Sequence, residues 1–390
     1  METKAETDFI AEAKRILDSG DDGARKHMLD TTRKAMALLE TPLETVWNTI
    51  MSPHAPAALM TLIKAGVIQR IAASDSPTSA EELATATKAN KLLIVRLLRP
   101  LSALGFVKET GLEEYAPTPI TKALMDRALL GGYQFMFSAA TRSLANMPFY
   151  LEKTGFKNVE GAPGPFQDAH HTQDNMFSWL TKDPPMMGNF NAFMTGQRAD
   201  RKQWFDFYDV DNNLLEGAKT DSDATLLIDI AGGEGHDIAE FHRRYPDSPA
   251  GSFCRIWILF FRLSKSFLRR SSGLLSRIAN ITSNIGARCY YFRSIFHDWP
   301  DADCVKILKR TAAAMTPGYS KLLMSEWVLP AQNTPLYPAL LDINMMAVLN
   351  GMERTEAQFT KLLDDAGLKV VKFWYDAAHV EGLVEAVLKD

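Results

Sequence analysis

The sequence predicts an α/β protein: a doubly wound parallel sheet in the C-terminal half, preceded by an α-rich winged-helix unit. Three observations carry this. From residue 223 onward, short apolar runs alternate with helical segments. The first run, TLLIDI, leads directly into the glycine turn AGGEG at residues 231–235. Upstream, residues 78–117 read as two short helices and then two strands about Gly111. Strand–helix alternation builds a layered α/β sheet, and ligands of such sheets bind at the carboxyl ends of the strands.

Each element follows in order. Residues 1–40 carry the charged-apolar pattern of one or two amphipathic helices. Residues 43–128 form a small α-rich unit. Thr78 with Glu81 matches a capping box opening a short first helix. Leu92, Val95, Leu98 and Leu101 form the apolar stripe expected of the second. Residues 129–215 are helical and rich in aromatics and methionine. Phe135, Met136, Met147, Met186, Phe190, Phe193 and Met194 are therefore both core candidates and candidates to line a pocket for a flat ligand. The sheet is expected from TLLIDI, from Cys289 to about Phe296, from SKLLMSEWVLP ending near Glu326, and from KVVKFWYD. Helices are expected at 237–245, 301–315 and 355–367. The domains divide as 1–128, 129–215 and 216–390.

Bulk properties exclude several classes. The chain has 390 residues, 23% of them charged, with a net charge of -4. That balance carries no polyanion-binding signature. A winged helix raises duplex binding through Lys88, Lys91, Arg96 and Arg99, but Glu81, Glu82, Glu109, Glu113 and Glu114 crowd the same surface, so no nucleic-acid partner is expected. No apolar run approaches the ~18 residues of a membrane span, so no membrane partner is expected. Cys254, Cys289 and Cys304 have neither paired nor metal-type spacing. A reducing, cytoplasmic location and no metal are expected.

The residues that carry chemistry sit where strands end. Asp229 closes the first strand, and Gly232, Gly233 and Gly235 let the backbone turn tightly and approach a ligand. A glycine turn alone suits a dinucleotide, S-adenosylmethionine or no ligand. His297 and Asp298 follow the next strand, Glu326 ends another, and Glu353 precedes a helix that Thr355 can cap. A histidine and two carboxylates converging on one edge suggest a general base with orienting partners.

Taken together, LIDIAGGEGHD, RSIFHDWPD, EWVLP and NGMERTEAQF resemble the fungal S-adenosylmethionine-dependent O-methyltransferases, of the caffeate and flavonoid O-methyltransferase type. The resemblance runs through nearly the whole chain. It implies a Rossmann-like domain that binds S-adenosylmethionine and a winged helix that serves as a homodimerisation domain. It implies an aromatic small-molecule substrate, a phenolic or enolic secondary metabolite of polyketide type. His297 becomes the base for the phenol proton, with Glu326 and Glu353 holding its imidazole. Arg293 becomes a cofactor contact, Trp299 a neighbour of the adenine, and Gly232, Gly233 and Gly235 the lining of the methionine and ribose side. Asn344, Met345 and Asn350 join the substrate candidates. Ala231 replaces the family's first glycine, a mild change if its φ is negative. Two alternatives stand beside methyl transfer: a nonmethylating pericyclase or dehydratase on the same fold, and a cofactor-deficient binding protein.

One stretch departs from the resemblance. Residues 251–285 hold six Lys or Arg and seven Ser but no Asp, Glu, His or Pro. The family carries an LQDL-type motif there, whose Asp binds the ribose hydroxyls. Codon degeneracy offers an explanation. Reading the third base of each codon with the first two of the next, Cys254–Arg255 permits Gln and Arg255–Ile256 permits Asp. Trp257–Ile258 must read GAT, which is Asp. The shifted frame from Ser252 permits VLQDLDSVLQ. Residues 252–285 are therefore expected to be out of frame, with family register resuming at GARCYYFRS and cofactor binding by the chain as written impaired.

Overall fold

The structure is a computed structural model that describes residues 4–197, 201–221, 224–232, 235–246, 255–259, 286–376 and 381–390. Gly233, Cys254 and residues 260–285 lie outside the described residues. Of the segment expected to be out of frame, only the backbone of Arg255–Leu259 is described, as a strand.

Two units divide the chain, Met1–Lys122 and Ala123–Asp390. The first opens with three helices, α1 (Lys4–Ser19), α2 (Asp22–Leu39) and α3 (Pro42–Met51). Asp21 and Thr41 cap α2 and α3. Neither α2 nor α3 buries a residue, and Leu38, Leu39, Leu43, Trp47 and Ile50 are all exposed. Next come α4 (His54–Lys64) and α5 (Val67–Ala73), which bury Leu59, Leu62, Ile63, Val67 and Ile71. The winged helix follows: β1 (Thr78–Ser79), α6 (Ala80–Thr87), α7 (Lys91–Ala103), β2 (Val107–Gly111), β3 (Glu114–Pro117) and α8 (Pro119–Ala123). Its sheet has the order β1-β3-β2.

Two expectations are corrected here. The capping box is Ser79 with Glu82, one residue on from Thr78 with Glu81. Both residues pair with β3, and it is the Ser79 hydroxyl that accepts the Glu82 backbone N–H and opens α6. In α7 the buried residues are Ile94, Val95, Leu98 and Leu101, while Leu92 is exposed. A strict three-residue spacing drifts about 60° per step on a helix of 3.6 residues per turn, which carries Leu92 off the stripe. The basic residues of this unit are also partly neutralised: Lys91 Nζ lies 2.8 Å from Glu113.

The second unit begins with helices α9 (Arg127–Met136), α10 (Arg142–Lys153), α11 (Pro165–His170), α12 (Met176–Leu180) and α13 (Pro184–Gly196). A π-helical turn, Phe137–Thr141, joins α9 to α10. The sheet then enters with β4 (Thr225–Ile230), α14 (His236–Arg244), β5 (Arg255–Leu259), β6 (Cys289–Arg293), α15 (Asp301–Ala314) and β7 (Lys321–Glu326). The chain continues through β8 (Val328–Leu329), α16 (Leu336–Leu349), β9 (Arg354–Thr355), α17 (Glu356–Asp365), β10 (Leu368–Tyr375) and β11 (Gly382–Leu388).

The six-stranded order is β10-β11-β7-β6-β4-β5. The strands β5, β4, β6 and β7 run parallel, and β11 and β10 close the sheet antiparallel. The chain passes from β4 to β5 on one side and returns to β6 on the other. The switch point therefore lies at the carboxyl ends of β4 and β6, where an open α/β sheet binds ligands. Strand β11 was not expected. It is buried on both faces and carries Glu385 mid-strand, so it shows no alternation. Glu385 accepts from Lys321 Nζ at 2.6 Å and Trp374 Nε1 at 3.0 Å, which satisfies a buried carboxylate. The strand expected from Cys289 to about Phe296 also stops early. β6 ends at Arg293, Ser294 turns with φ +50°, and Phe296–Asp298 form a 3-10 turn.

Candidate active site

The glycine turn is built on Asp229. That residue is buried near the end of β4. A Cβ at Gly232 would lie 1.9 Å from Asp229 Oδ2, so only glycine fits against this carboxylate. Gly235 then takes φ +79° and opens α14 with no side-chain cap. Ala231 has φ +67°, so the condition under which its methyl group would be a mild change is not met. A side chain in the left-handed region costs about 1–2 kcal/mol, so the departure from glycine is a strained one.

His297 stands across the switch point, in the 3-10 turn after β6. Its Nδ1 lies 2.7 Å from Glu353 Oε1 and its Nε2 3.4 Å from Asp298 Oδ1. The imidazole is 12% exposed and Glu353 1%. Glu326 acts differently from its expected role of gripping the imidazole. Its Oε1 accepts the backbone N–H groups of Ile295 and Phe296, both at 2.9 Å, so it braces the turn carrying His297. The second oxygens of Glu326 and Glu353 are buried with no hydrogen-bond partner.

Electrostatics follow from this crowding. Burial opposes charge on His297, but Asp298, Glu353 and Glu326 outweigh it and raise the imidazole pKa to about 10. Burial likewise raises Asp298 to about 6 and Glu326 to about 7, with His297 pulling each the other way. The cluster is an acidic pocket around one imidazole.

Arg293 falls into a buried network instead of standing open to a ligand. Its guanidinium lies 3.1 Å from Asp237 in the first turn of α14, and 3.4 Å from Glu381. Asp237 also accepts from Tyr291 Oη at 2.9 Å. Arg293 thus ties the end of β6 to the helix that the glycine turn opens. Trp299 is half-buried against the core beside Ile295.

The pocket candidates separate into groups. Phe135, Phe190 and Phe193 pack on one another, with Phe135 and Phe190 edge to face at 5.1 Å. Met136, Met147 and Met186 join the same cluster with Phe166 and Met176. Met194 is half-buried on α13, and Met345 is buried on α16. Asn344 keeps a buried amide oxygen without a hydrogen-bond partner. Asn350 caps α16 in the left-handed conformation and packs its amide on the backbone of Gly164. His170, which the sequence did not single out, stacks on Phe166 at 4.3 Å and meets Ala139 O at 3.1 Å. No group of metal ligands occurs among the described residues.

Comparison with known proteins agrees with this arrangement. An O-methyltransferase dimerisation domain matches residues 47–127 and an O-methyltransferase domain matches 277–369. The O-methyltransferase asqD of Emericella nidulans is 36% identical over 312 residues, 80% of this chain and 81% of that protein. The O-methyltransferase penC of Penicillium thymicola is 31% identical over 96% of this chain and 94% of its own. OxaC, solved in complex with sinefungin and meleagrin, superposes with a TM-score of 0.79 at 28% identity, covering 98% of each chain. A structure described as a pericyclic reaction enzyme shares the fold, with a TM-score of 0.83 at 23% identity over both full chains. A winged helix in one unit and, in the other, a doubly wound sheet with a histidine and carboxylates at its switch point define a Rossmann-like methyltransferase. The chain belongs to the fungal S-adenosylmethionine-dependent O-methyltransferases.

The residues present fit that cofactor at one end and fall short at the other. Acidic groups with two unpartnered buried oxygens surround His297, and such a donor set suits a cation. The sequence from 251 to 285 offers no acid for the ribose hydroxyls.

Proposed function

We propose that this chain is an enzyme fold for methylating a phenolic or enolic hydroxyl of a polyketide-type metabolite, with His297 as general base. The His297–Glu353 contact of 2.7 Å carries this reading. With the imidazole pKa raised to about 10, the base is the minor neutral form, in which Nδ1–H donates to Glu353 and the Nε2 lone pair is available to a substrate hydroxyl. Glu326 holds the backbone of the same turn, so ring and loop are fixed by separate carboxylates. Asp229, Gly232, Gly233 and Gly235 would hold the methionine end of the cofactor, with Arg293 placing α14 through Asp237 and Trp299 on the adenine side. S-adenosylmethionine supplies, when bound, an electrophilic methyl on a sulfonium cation. His297 would hold and accept the hydroxyl proton, and the apolar cluster around Phe135, Met147 and Phe190 would orient a flat ring toward that methyl.

The test is His297→Gln and Glu353→Gln in the frame-restored chain, with methyl-labelled cofactor and a panel of phenols. Removing a general base is expected to lower kcat by about 10²–10⁴-fold. Unchanged kcat in His297→Gln would exclude the base role. Turnover of substrate without label transfer would support nonmethylating chemistry, which this fold also hosts.

The chain is further proposed to act as a homodimer through its first unit. The dimerisation-domain match begins at Trp47, one of the apolar residues left exposed on α3. For the chain as written, weak cofactor binding is proposed because the ribose acid is absent.

A further inference from the structure

Arg354 is the largest side chain the fold buries completely, at 1% exposure. Its guanidinium sits among backbone carbonyls. Nη1 donates to Phe296 O at 2.7 Å and Met352 O at 3.3 Å, and Nη2 to Trp299 O at 2.9 Å. Nε and Nη2 both reach Asp301 Oδ1, at 2.9 and 2.7 Å. Phe296 and Trp299 flank the turn that carries His297. The residues before Arg354 hold the turn's centre. Met352 N–H donates to His297 O at 3.0 Å, and a Cβ at Gly351 would lie 1.9 Å from that same oxygen. Glu353, between them, holds the imidazole. Four consecutive residues thus grip one turn at its backbone and at its side chain.

The arrangement needs arginine. A planar fork can serve carbonyls on two sides and a carboxylate at the same time, which a lysine ammonium cannot. Burying a guanidinium is costly and stabilises little by itself. Its ion pair among the described residues is with Asp301, which is 65% exposed. Neutral carbonyls take the remaining donors, which is the pattern of a group kept for geometry. Cys304 Sγ lies 3.3 Å from Phe296 O and 3.4 Å from Trp299 O, so the same two carbonyls are contacted from α15 as well.

We propose that Arg354 is a positioning residue for the reaction: it fixes the Phe296–Trp299 turn so that the His297 ring stays on Glu353. This rests on the reading of His297 as base, and the test separates the two. Histidine ring-labelled full-length chain is titrated by NMR, with the His297 signal assigned by its loss in His297→Gln. The groups facing that ring are Asp298, Glu326 and Glu353, with Asp301, Cys304 and Arg354 behind the turn. In Arg354→Lys the charge is kept and the fork is lost. The His297 pKa is expected to fall toward 6.5 by about one unit or more as the Glu353 contact loosens. In the frame-restored enzyme, kcat is expected to fall by about 10²-fold with KM little changed. Asp301→Asn, which leaves the guanidinium in place but less firmly held, is expected to move both quantities the same way by less, and it carries the test if Arg354→Lys does not fold.

The sign of the shift is informative. Loss of a nearby cation alone, as in Arg354→Met, would raise the imidazole pKa, whereas loss of its carboxylate contact lowers it. A lower melting temperature with an unmoved His297 titration in Arg354→Lys and Asp301→Asn would reduce Arg354 to a structural residue. If His297→Gln instead keeps full kcat, the base reading fails, and the titration still reports whether Arg354 positions the ring.

Discussion

His297 shows how one side chain acquires its properties from its neighbours. Its folded pKa is raised above the unfolded value of about 6.5. Such a group contributes stability that is complete below pH 6.5 and lost as pH rises through the folded value near 10. The melting-temperature difference between the wild type and His297→Gln is therefore expected to be largest near pH 6 and to shrink toward pH 10. A difference independent of pH would mean that the ring is not held as an imidazolium. Asp298 is the largest influence raising this pKa, so Asp298→Asn is expected to move the loss to lower pH. The sequence made His297, Glu353 and Glu326 visible because each stands at or near a strand or helix end. It did not reveal that Glu326 serves the backbone, because the same carboxylate at the same strand end fits either role. Arg354 stayed hidden for a related reason. A buried arginine and an exposed one look identical in sequence, and its partners are carbonyls that every residue carries.

At the scale of elements, the turn after β4 shows what one methyl group does. Ala231 occupies the left-handed region, so Ala231→Gly is expected to stabilise the chain by up to about 1 kcal/mol, the strain relieved being partly offset by glycine's extra unfolded entropy. Urea denaturation with an unchanged m-value measures this, and a lower midpoint in the glycine variant would show that Ala231 is not strained. Parallel strands buried on both faces were legible as apolar runs bounded by turns, as in TLLIDI. The winged helix was legible through its caps and stripe, although the cap lay one residue on and Leu92 fell off the stripe. Strand β11 was not legible, because a buried Glu385 breaks the apolar run and its partners, Lys321 and Trp374, are distant in sequence. The end of β6 was misplaced because Phe296 continues the apolar pattern after Ser294 has already turned the backbone.

For the whole molecule, two features bear on function: an exposed apolar face and an acid-free stretch of sequence. So many large exposed apolar residues on α2 and α3, Leu38, Leu39, Trp47 and Ile50 among them, suit a covered face. Light scattering is expected to give twice the 43.5 kDa chain mass, and Trp47→Glu with Ile50→Lys to give the monomer. A monomeric wild type would remove this proposal. The second feature is the sequence between β4 and β6. The parallel pairing of Arg255–Leu259 with β4 shows that an apolar sequence suffices to place a strand there. Backbone pairing asks only for β-compatible residues, so a strand here is compatible with the proposed change of frame. Recognition of a ribose does not, because it asks for one acid at one position. The O-methyltransferase domain match begins only at residue 277, after most of the acid-free stretch. Calorimetry on two chains separates fold from recognition: the chain as written, and one with 252–285 restored to the alternative frame. Charge-assisted hydrogen bonds to a carboxylate contribute about 1.5–3 kcal/mol each. Restoration is therefore expected to tighten S-adenosylmethionine binding by about 10-fold or more, with methyl transfer appearing only in the restored chain. Equal, tight binding by both chains would show that the cofactor does not depend on an acid at this position.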